Sequence, residues 1–173
     1  MPDVSHFIHD KAEQKKRIEE KRQMILEFLA AETFSTSEII SSLLNVSRIA
    51  AYKTLKSMEK KELVKLHEIE YELAQKGKQT IWGLTPTGAL LAADLDDFHV
   101  DYYEAGRIST STIAHSIAMQ RVKVVGLQKG WTEWQSGRRL RQLAAKNKKT
   151  WLQVPDSVAL SPDQKRTAFE IGR

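Results

Sequence analysis

The chain has 173 residues, of which 41% are hydrophobic and 28% are charged, a composition typical of a soluble globular protein. Lysine and arginine outnumber aspartate and glutamate by 27 to 22. The resulting net charge of +5 and pI of about 9.4 indicate a polyanionic partner. The absence of cysteine excludes disulfides and cysteine-ligated zinc or iron–sulfur sites, and it fits a reducing compartment. No signal peptide and no apolar run of membrane-spanning length are found, so the sequence predicts a cytoplasmic protein without a membrane partner.

Two helices are predicted at the beginning of the chain. Apolar residues recur at helical spacing over residues 10–32, beside many charged residues. A short second helix is expected to follow an N-cap at Ser35, Thr36 or Ser37. Asn45 is a typical C-terminal stop, so this helix is predicted to be short.

The third predicted helix separates apolar from basic side chains. Ser47 is its expected N-cap, because a serine hydroxyl can accept a hydrogen bond from an amide of the first turn. The predicted inner side is apolar: Ile49, Tyr52, Leu55 and Met58. The predicted outer side is basic: Arg48, Lys53, Lys56 and Lys60.

The pattern then changes from helix to strand. Residues 64–73 alternate as a half-buried strand does, residues 74–79 form a glycine turn, and residues 80–84 return as a second strand. Thr85 and Pro86 begin another helix. Three helices followed by a hairpin are the order of a winged helix-turn-helix, in which the turn is the wing.

This arrangement predicts binding to double-stranded DNA. The third helix can lie in a major groove, where Ser47, Arg48 and the outer lysines reach bases and phosphates. Lys76 and Lys78 of the wing can contact the phosphate backbone beside that groove. Two alternatives stay open: these lysines only solvate a surface, or the winged helix serves as a dimerisation or protein-contact module.

An acidic, aromatic and aperiodic stretch at residues 96–108 is the predicted linker between two domains, residues 1–95 and residues 109–173. Tyr102 and Tyr103 lie within it. One large class of DNA-nicking enzymes uses a tyrosine nucleophile, whereas paired tyrosines in a linker are also typical packing anchors. Both interpretations stay open.

The second half is predicted to contain a long helix over residues 110–128, a short strand carrying Glu133 and a C-terminal hairpin. His115 lies on the inward side of the helix, either as a hydrogen-bonded core histidine or as a metal or phosphate ligand. In the hairpin, Asp156 and Glu170 lie equally far from a turn centred on Asp163. Antiparallel pairing would therefore place the two acids opposite each other.

Facing carboxylates repel unless a cation lies between them, and oxygen ligands suit Mg²⁺ or Mn²⁺. The hairpin therefore predicts a divalent-metal site that could activate water and stabilise charge on a phosphodiester. The simpler interpretation is that Pro155 and Asp156 only begin a strand and that Glu170 faces solvent on a sheet edge.

The order of several motifs resembles the plasmid replication-relaxation family and the MOBC-class mobilisation relaxases, and the hairpin resembles that of PD-(D/E)XK nucleases. The motifs are LTPTG, a helix with an inward histidine, WTEW, PDSVAL and AFEIGR. The resemblance implies an α+β protein with a winged helix-turn-helix domain followed by a restriction-endonuclease-like domain. It also implies binding to a plasmid transfer origin, alongside other mobilisation proteins, and nicking of one DNA strand with Mg²⁺ or Mn²⁺.

Carried over by position, the resemblance implies Asp156 and Glu170 as catalytic metal ligands, Glu133 as a third acidic contributor and His115 as the inward histidine of the site. The lysine expected two places after the glutamate is replaced by Gly172. A nuclease core of this kind continues beyond the glutamate strand, so the domain is expected to be incomplete at its C-terminus. The alternative is a non-enzymatic plasmid regulator or replication initiator whose second half dimerises.

Overall fold

A computed structural model of the chain describes residues 11–70, 78–93, 100–147 and 153–171. Its first part consists of four helices and a three-stranded sheet. The elements are α1 (Lys11–Glu32), β1 (Phe34–Ser35), α2 (Ser37–Leu43), α3 (Arg48–Glu59), β2 (Val64–Glu70), β3 (Lys78–Leu84) and α4 (Pro86–Ala92). The strands pair antiparallel in the order β1-β3-β2. This succession of elements is that of a winged helix.

Three helices begin at side-chain caps of the kind that the sequence indicates. The hydroxyl of Thr36 accepts a hydrogen bond from the amide of Ile39, and that of Ser47 accepts one from Ala50, each at 3.2 Å. Thr85 caps α4 in the same way, and Pro86 occupies the first turn. These bonds satisfy amides that a helix N-terminus leaves without an intrahelical partner, which fixes where each helix begins.

The core of the winged helix lies between α1, α2, α3 and the sheet. Leu55 and Met58 of α3 are buried as expected, and Ala51 completes the buried side of that helix. The prediction for the other two apolar residues is wrong: Ile49 is 70% exposed and Tyr52 is 44% exposed. Both lie on the outward side of α3, among its basic residues.

The helix α5 (Thr110–Gln128) packs against the winged helix. Ile113, Ile117 and Val124 belong to the same hydrophobic core as the residues of α1 to α3. Two buried polar contacts add to this packing: the Gln120 amide donates to the carbonyl of Phe34 at 2.7 Å, and Lys123 pairs with Glu32 at 2.6 Å. The hydrophobic core therefore continues from the first 95 residues into the second half.

A second sheet follows α5. Its elements are β4 (Thr132–Ser136), α6 (Gly137–Lys146), β5 (Ser157–Leu160) and β6 (Arg166–Phe169), and the strand order is β4-β5-β6 with antiparallel pairing. Phe169 contacts the rings of Trp131 and Trp134, with centroids 5.2 and 4.9 Å away. Helix α5 approaches this cluster at Gly126, where a Cβ would lie 2.7 Å from the Trp134 ring. Glycine is therefore required for this close approach.

The observed architecture is mixed α and β, with α5 joining the two sheets. Restriction-endonuclease-like topology for the second sheet stays a prediction, as does the division of the chain at residues 96–108. Among the described helices, none combines the length and the apolar character needed to cross a lipid bilayer.

Candidate nucleic-acid interface

The outward face of α3 presents basic side chains to solvent. Arg48, Lys53 and Lys60 are exposed, and in the described part of the chain their side chains take part in no ion pair. Arg48 is the first residue of the helix, directly after the Ser47 cap. The N-terminal end of a helix dipole is positive, so it adds to the charge of Arg48 in attracting an external anion. The predicted DNA-binding residues Arg48, Lys53 and Lys60 are thus exposed cations of α3 and its C-cap, and Lys56 differs from them because it is paired with Glu59.

Lys56 is held in place by neighbouring side chains. Its ammonium group donates to Glu59 at 2.6 Å and lies 5.5 Å from the centre of the Trp82 ring. The hydrogen bond with Glu59 raises the pKa of Lys56 and lowers that of Glu59. The other Glu59 oxygen accepts from the amide of Leu66 at 3.3 Å. Lys56 is therefore a fixed, internally compensated cation, unlike Lys53.

The wing is described only in part. Lys76 lies outside the described residues, and Lys78 begins β3 at the base of the turn. The Lys78 ammonium group lies 3.7 Å from Glu68 and 3.8 Å from Glu70. These two acids of β2 offset its charge, so Lys78 contributes less positive potential than the sequence alone indicates.

A cleft of about 680 Å³ lies between the end of α1, residues 101–109, α5 and the beginning of α6. His115 and Asp156 meet on its wall, with His115 Nε2 3.0 Å from Asp156 Oδ1. The other Asp156 oxygen accepts from the amide of Ile171 at 2.9 Å, and the Asp156 carbonyl accepts from the amide of Gly137 at 2.6 Å. Two of the predicted site residues are therefore in direct contact, and the carboxylate is fixed on two sides.

Glu170 and Glu133 occupy different ends of the second sheet. Ser157 pairs with Phe169, so the next position in the same register places Asp156 opposite Glu170. The Glu170 carboxylate accepts from the Gln153 amide at 3.1 Å. Glu133, in contrast, pairs with Arg166 at 2.8 Å, near the opposite end of β6. Asp156 and Glu170 therefore directly follow the last paired residues at one end of this hairpin, whereas Glu133 is bound to Arg166 at the other end.

Asp156, Glu170 and Glu133 are the predicted oxygen ligands of a divalent metal ion. Within the described residues, no three histidine, aspartate or glutamate side chains are grouped so that they could hold a metal ion. Mg²⁺ is nevertheless commonly bound by one or two carboxylates, with water and substrate phosphates completing its coordination. Asp156 and Glu170 fit that limited contribution, and Glu133 does not.

Comparison with known proteins identifies the relatives of this chain. The family model described as replication-relaxation matches residues 26–172. The chain belongs to the replication-relaxation family. No curated protein matches this family member. Among solved structures, it is similar to Lactococcus lactis ZitR, a C30AH42A mutant in apo form, with 18% identity and a TM-score of 0.36 over 79% of this chain and 82% of that one.

The two tyrosines of this replication-relaxation protein differ in surroundings. Tyr103 is buried, with its ring edge-on to Phe34 and His67, and burial raises the pKa of its hydroxyl. A raised pKa disfavours the phenolate that a nucleophile needs, so Tyr103 is placed as a packing anchor. Tyr102 lines the same cleft as His115 and is 36% exposed.

Arg138 is a residue of the cleft whose role the sequence did not reveal. It pairs with Asp101, and its guanidinium also donates to the Thr33 hydroxyl. Burial lowers its pKa, while the neighbouring carboxylate of Glu32 acts in the opposite direction. The arginine run at residues 138–141 was a visible signal, but nothing local shows which of its members turns toward the winged helix.

Proposed function

We propose that this replication-relaxation protein binds the double-stranded DNA of a plasmid transfer origin, with α3 in the major groove. The observation that carries the proposal is the outward face of α3, where Arg48, Lys53 and Lys60 are exposed without an ion-pair partner in the described chain. DNA phosphates are the complementary polyanion, and neutralising them releases condensed counterions.

The geometry of α3 supports a division of roles along the helix. Arg48 lies at the N-terminal end of α3, and this end of a recognition helix enters the major groove first. Its guanidinium group can donate two hydrogen bonds to a guanine. Lys60 lies at the C-terminal end, where a phosphate contact would set orientation without specifying sequence. Membership in the replication-relaxation family agrees with a plasmid-related DNA-binding role.

A second candidate function is nicking of one strand at that origin, and the contact between His115 and Asp156 favours it. In this candidate Asp156 and Glu170 would hold Mg²⁺ or Mn²⁺, which when bound supplies Lewis-acid charge and a more acidic water. His115 would orient the Asp156 carboxylate through its Nε2, and the amide of Ile171 would hold the second oxygen. A non-enzymatic plasmid regulator is the competing proposal, and the separation of Glu133 from Asp156 agrees with it.

Titration of labelled duplexes tests the leading proposal. The chain is expected to bind a duplex from its plasmid's transfer origin more tightly than an unrelated duplex of equal length. The logarithm of the binding constant should fall with the logarithm of salt concentration with a slope of about −2 or steeper, because two or more phosphates are neutralised. Equal affinity for both duplexes, or a slope near zero, would contradict the proposal.

A further inference from the structure

Ile49 is an apolar side chain in an unusual place. It is the second residue of α3 and is 70% exposed, although its position in the sequence predicts an inward orientation. Moving an isoleucine side chain out of water into an apolar contact is favourable. In the free chain most of the Ile49 side chain stays in water, so a partner that covers it would gain this favourable free energy on binding.

The surroundings of Ile49 restrict what that partner can be. Arg48 precedes it in the helix, and Lys53 lies one helical turn further along the same exposed side. The neighbouring Tyr52 is held edge-on to Trp82, with ring centroids 6.0 Å apart, so it does not extend a flat apolar patch. Two exposed side chains among cations, one of them held against Trp82, do not form the wider apolar centre of a typical protein interface.

The major groove of DNA matches this arrangement. Its two sides carry phosphates, which complement the cations, and the C5-methyl group of thymine is the apolar group on its floor. The first residues of a recognition helix are those that contact base edges. Ile49 has the position and the chemistry for a methyl contact.

We propose that Ile49 contacts the C5-methyl group of thymine in the target duplex and so specifies thymine where the N-terminal end of α3 lies. This inference rests on the proposed DNA-binding function and adds a base preference to it. Uracil presents the same hydrogen-bonding groups as thymine and lacks only the methyl group. Replacing one by the other therefore isolates the contact.

The experiment begins with selection of the preferred duplex from a random library by the wild-type chain. Each thymine of the selected site is then replaced, one at a time, by deoxyuridine, and binding is measured by fluorescence anisotropy. We expect a loss on the order of fivefold at one or two positions, the value for removing one apolar methyl contact. In the Ile49→Ala chain, thymine and uracil duplexes are expected to bind equally at those positions.

Two further variants separate recognition from general effects. Ile49→Val keeps a branched apolar side chain and should retain most of the difference between thymine and uracil. Leu90→Ala removes a similarly exposed apolar side chain, 77% exposed on α4, and should retain all of it. The inference is overturned if the wild-type chain shows no preference at any thymine, or if Ile49→Ala keeps the wild-type preference. Selection that enriches no duplex overturns the proposed function, and the methyl contact with it.

Discussion

Replacing Arg48 and Lys53 together by glutamate is expected to weaken binding to an origin duplex by about 100-fold or more at moderate salt. Each change removes a cation that the described structure leaves without an ion-pair partner, and each adds an anion facing the phosphates. A combined loss of about 3 kcal/mol corresponds to two decades in the dissociation constant. The slope of affinity against salt should also become shallower, because fewer counterions are released.

The control makes the same change in net charge with two lysines in the second half of the chain. Lys146 ends α6, and Lys165 lies in the turn between β5 and β6 with its side chain 80% exposed. Lys146→Glu combined with Lys165→Glu should leave binding within about threefold of wild type, since charges beyond a Debye length are largely screened. An equal loss in both double variants would show that net charge, and not the face of α3, governs binding.

The single lysines of α3 provide a finer comparison within the same experiment. Lys53→Met should weaken binding more than Lys56→Met, because Glu59 already compensates the charge of Lys56. Equal effects would mean that Lys56 leaves Glu59 when DNA binds.

Asp156→Asn is expected to abolish nicking of a supercoiled plasmid that carries the origin, when the natural protein is assayed with Mg²⁺ or Mn²⁺. An amide lacks the charge that a divalent ion requires, whereas its oxygen can still accept from the amide of Ile171. Duplex binding by α3 should therefore be unchanged, and the melting temperature should shift only slightly. Glu170→Gln should give the same pattern, and Glu133→Gln should nick as wild type does, because Glu133 pairs with Arg166 at the other end of the sheet.

Normal nicking by the Asp156→Asn protein would contradict the metal site. Tyr102 would then be the residue to replace, because it lines the same cleft as His115. If the wild-type protein binds the origin duplex but does not nick it with any metal ion, the regulator alternative is favoured.

Local signals in the sequence were sufficient to place most of the elements. The caps Thr36, Ser47 and Thr85 each act over three residues, so their effect is visible in the sequence itself. The hairpin register is also local, since a turn centred on Asp163 pairs Ser157 with Phe169 and Leu160 with Arg166. These features depend on short-range geometry and therefore follow from the order of residues.

The wrong prediction that Ile49 and Tyr52 face the core has a geometric cause. Ile49, Tyr52, Leu55 and Met58 recur at steps of three, and each step falls about 60° short of a full turn in an α-helix. Over three steps the stripe rotates by about half a turn, so its two ends cannot both face the core. Leu55 and Met58 are buried with Ala51, and the N-terminal end of the stripe faces outward.

Contacts between distant residues could not be predicted from the sequence. The buried pair of Lys123 with Glu32 and the hydrogen bond from Gln120 to Phe34 join α5 to the beginning of the chain. Glu133 has a left-handed backbone, with φ of 48°, where the pairing of β4 with β5 shifts its register. A local sequence pattern does not reveal the distant partner of a long side chain or an irregularity in strand pairing. Both affect which acidic side chains lie close together in the folded chain.

Methylation interference on the bound origin duplex tests most directly whether α3 lies in the major groove. Methylation of guanine N7 modifies the major groove, and methylation of adenine N3 modifies the minor groove. We predict that N7 methylation of one or more guanines in the protected segment prevents binding, and that Arg48→Ala removes this sensitivity at a specific guanine. Binding that tolerates N7 methylation throughout the segment, but is blocked by N3 methylation, would contradict the placement of α3.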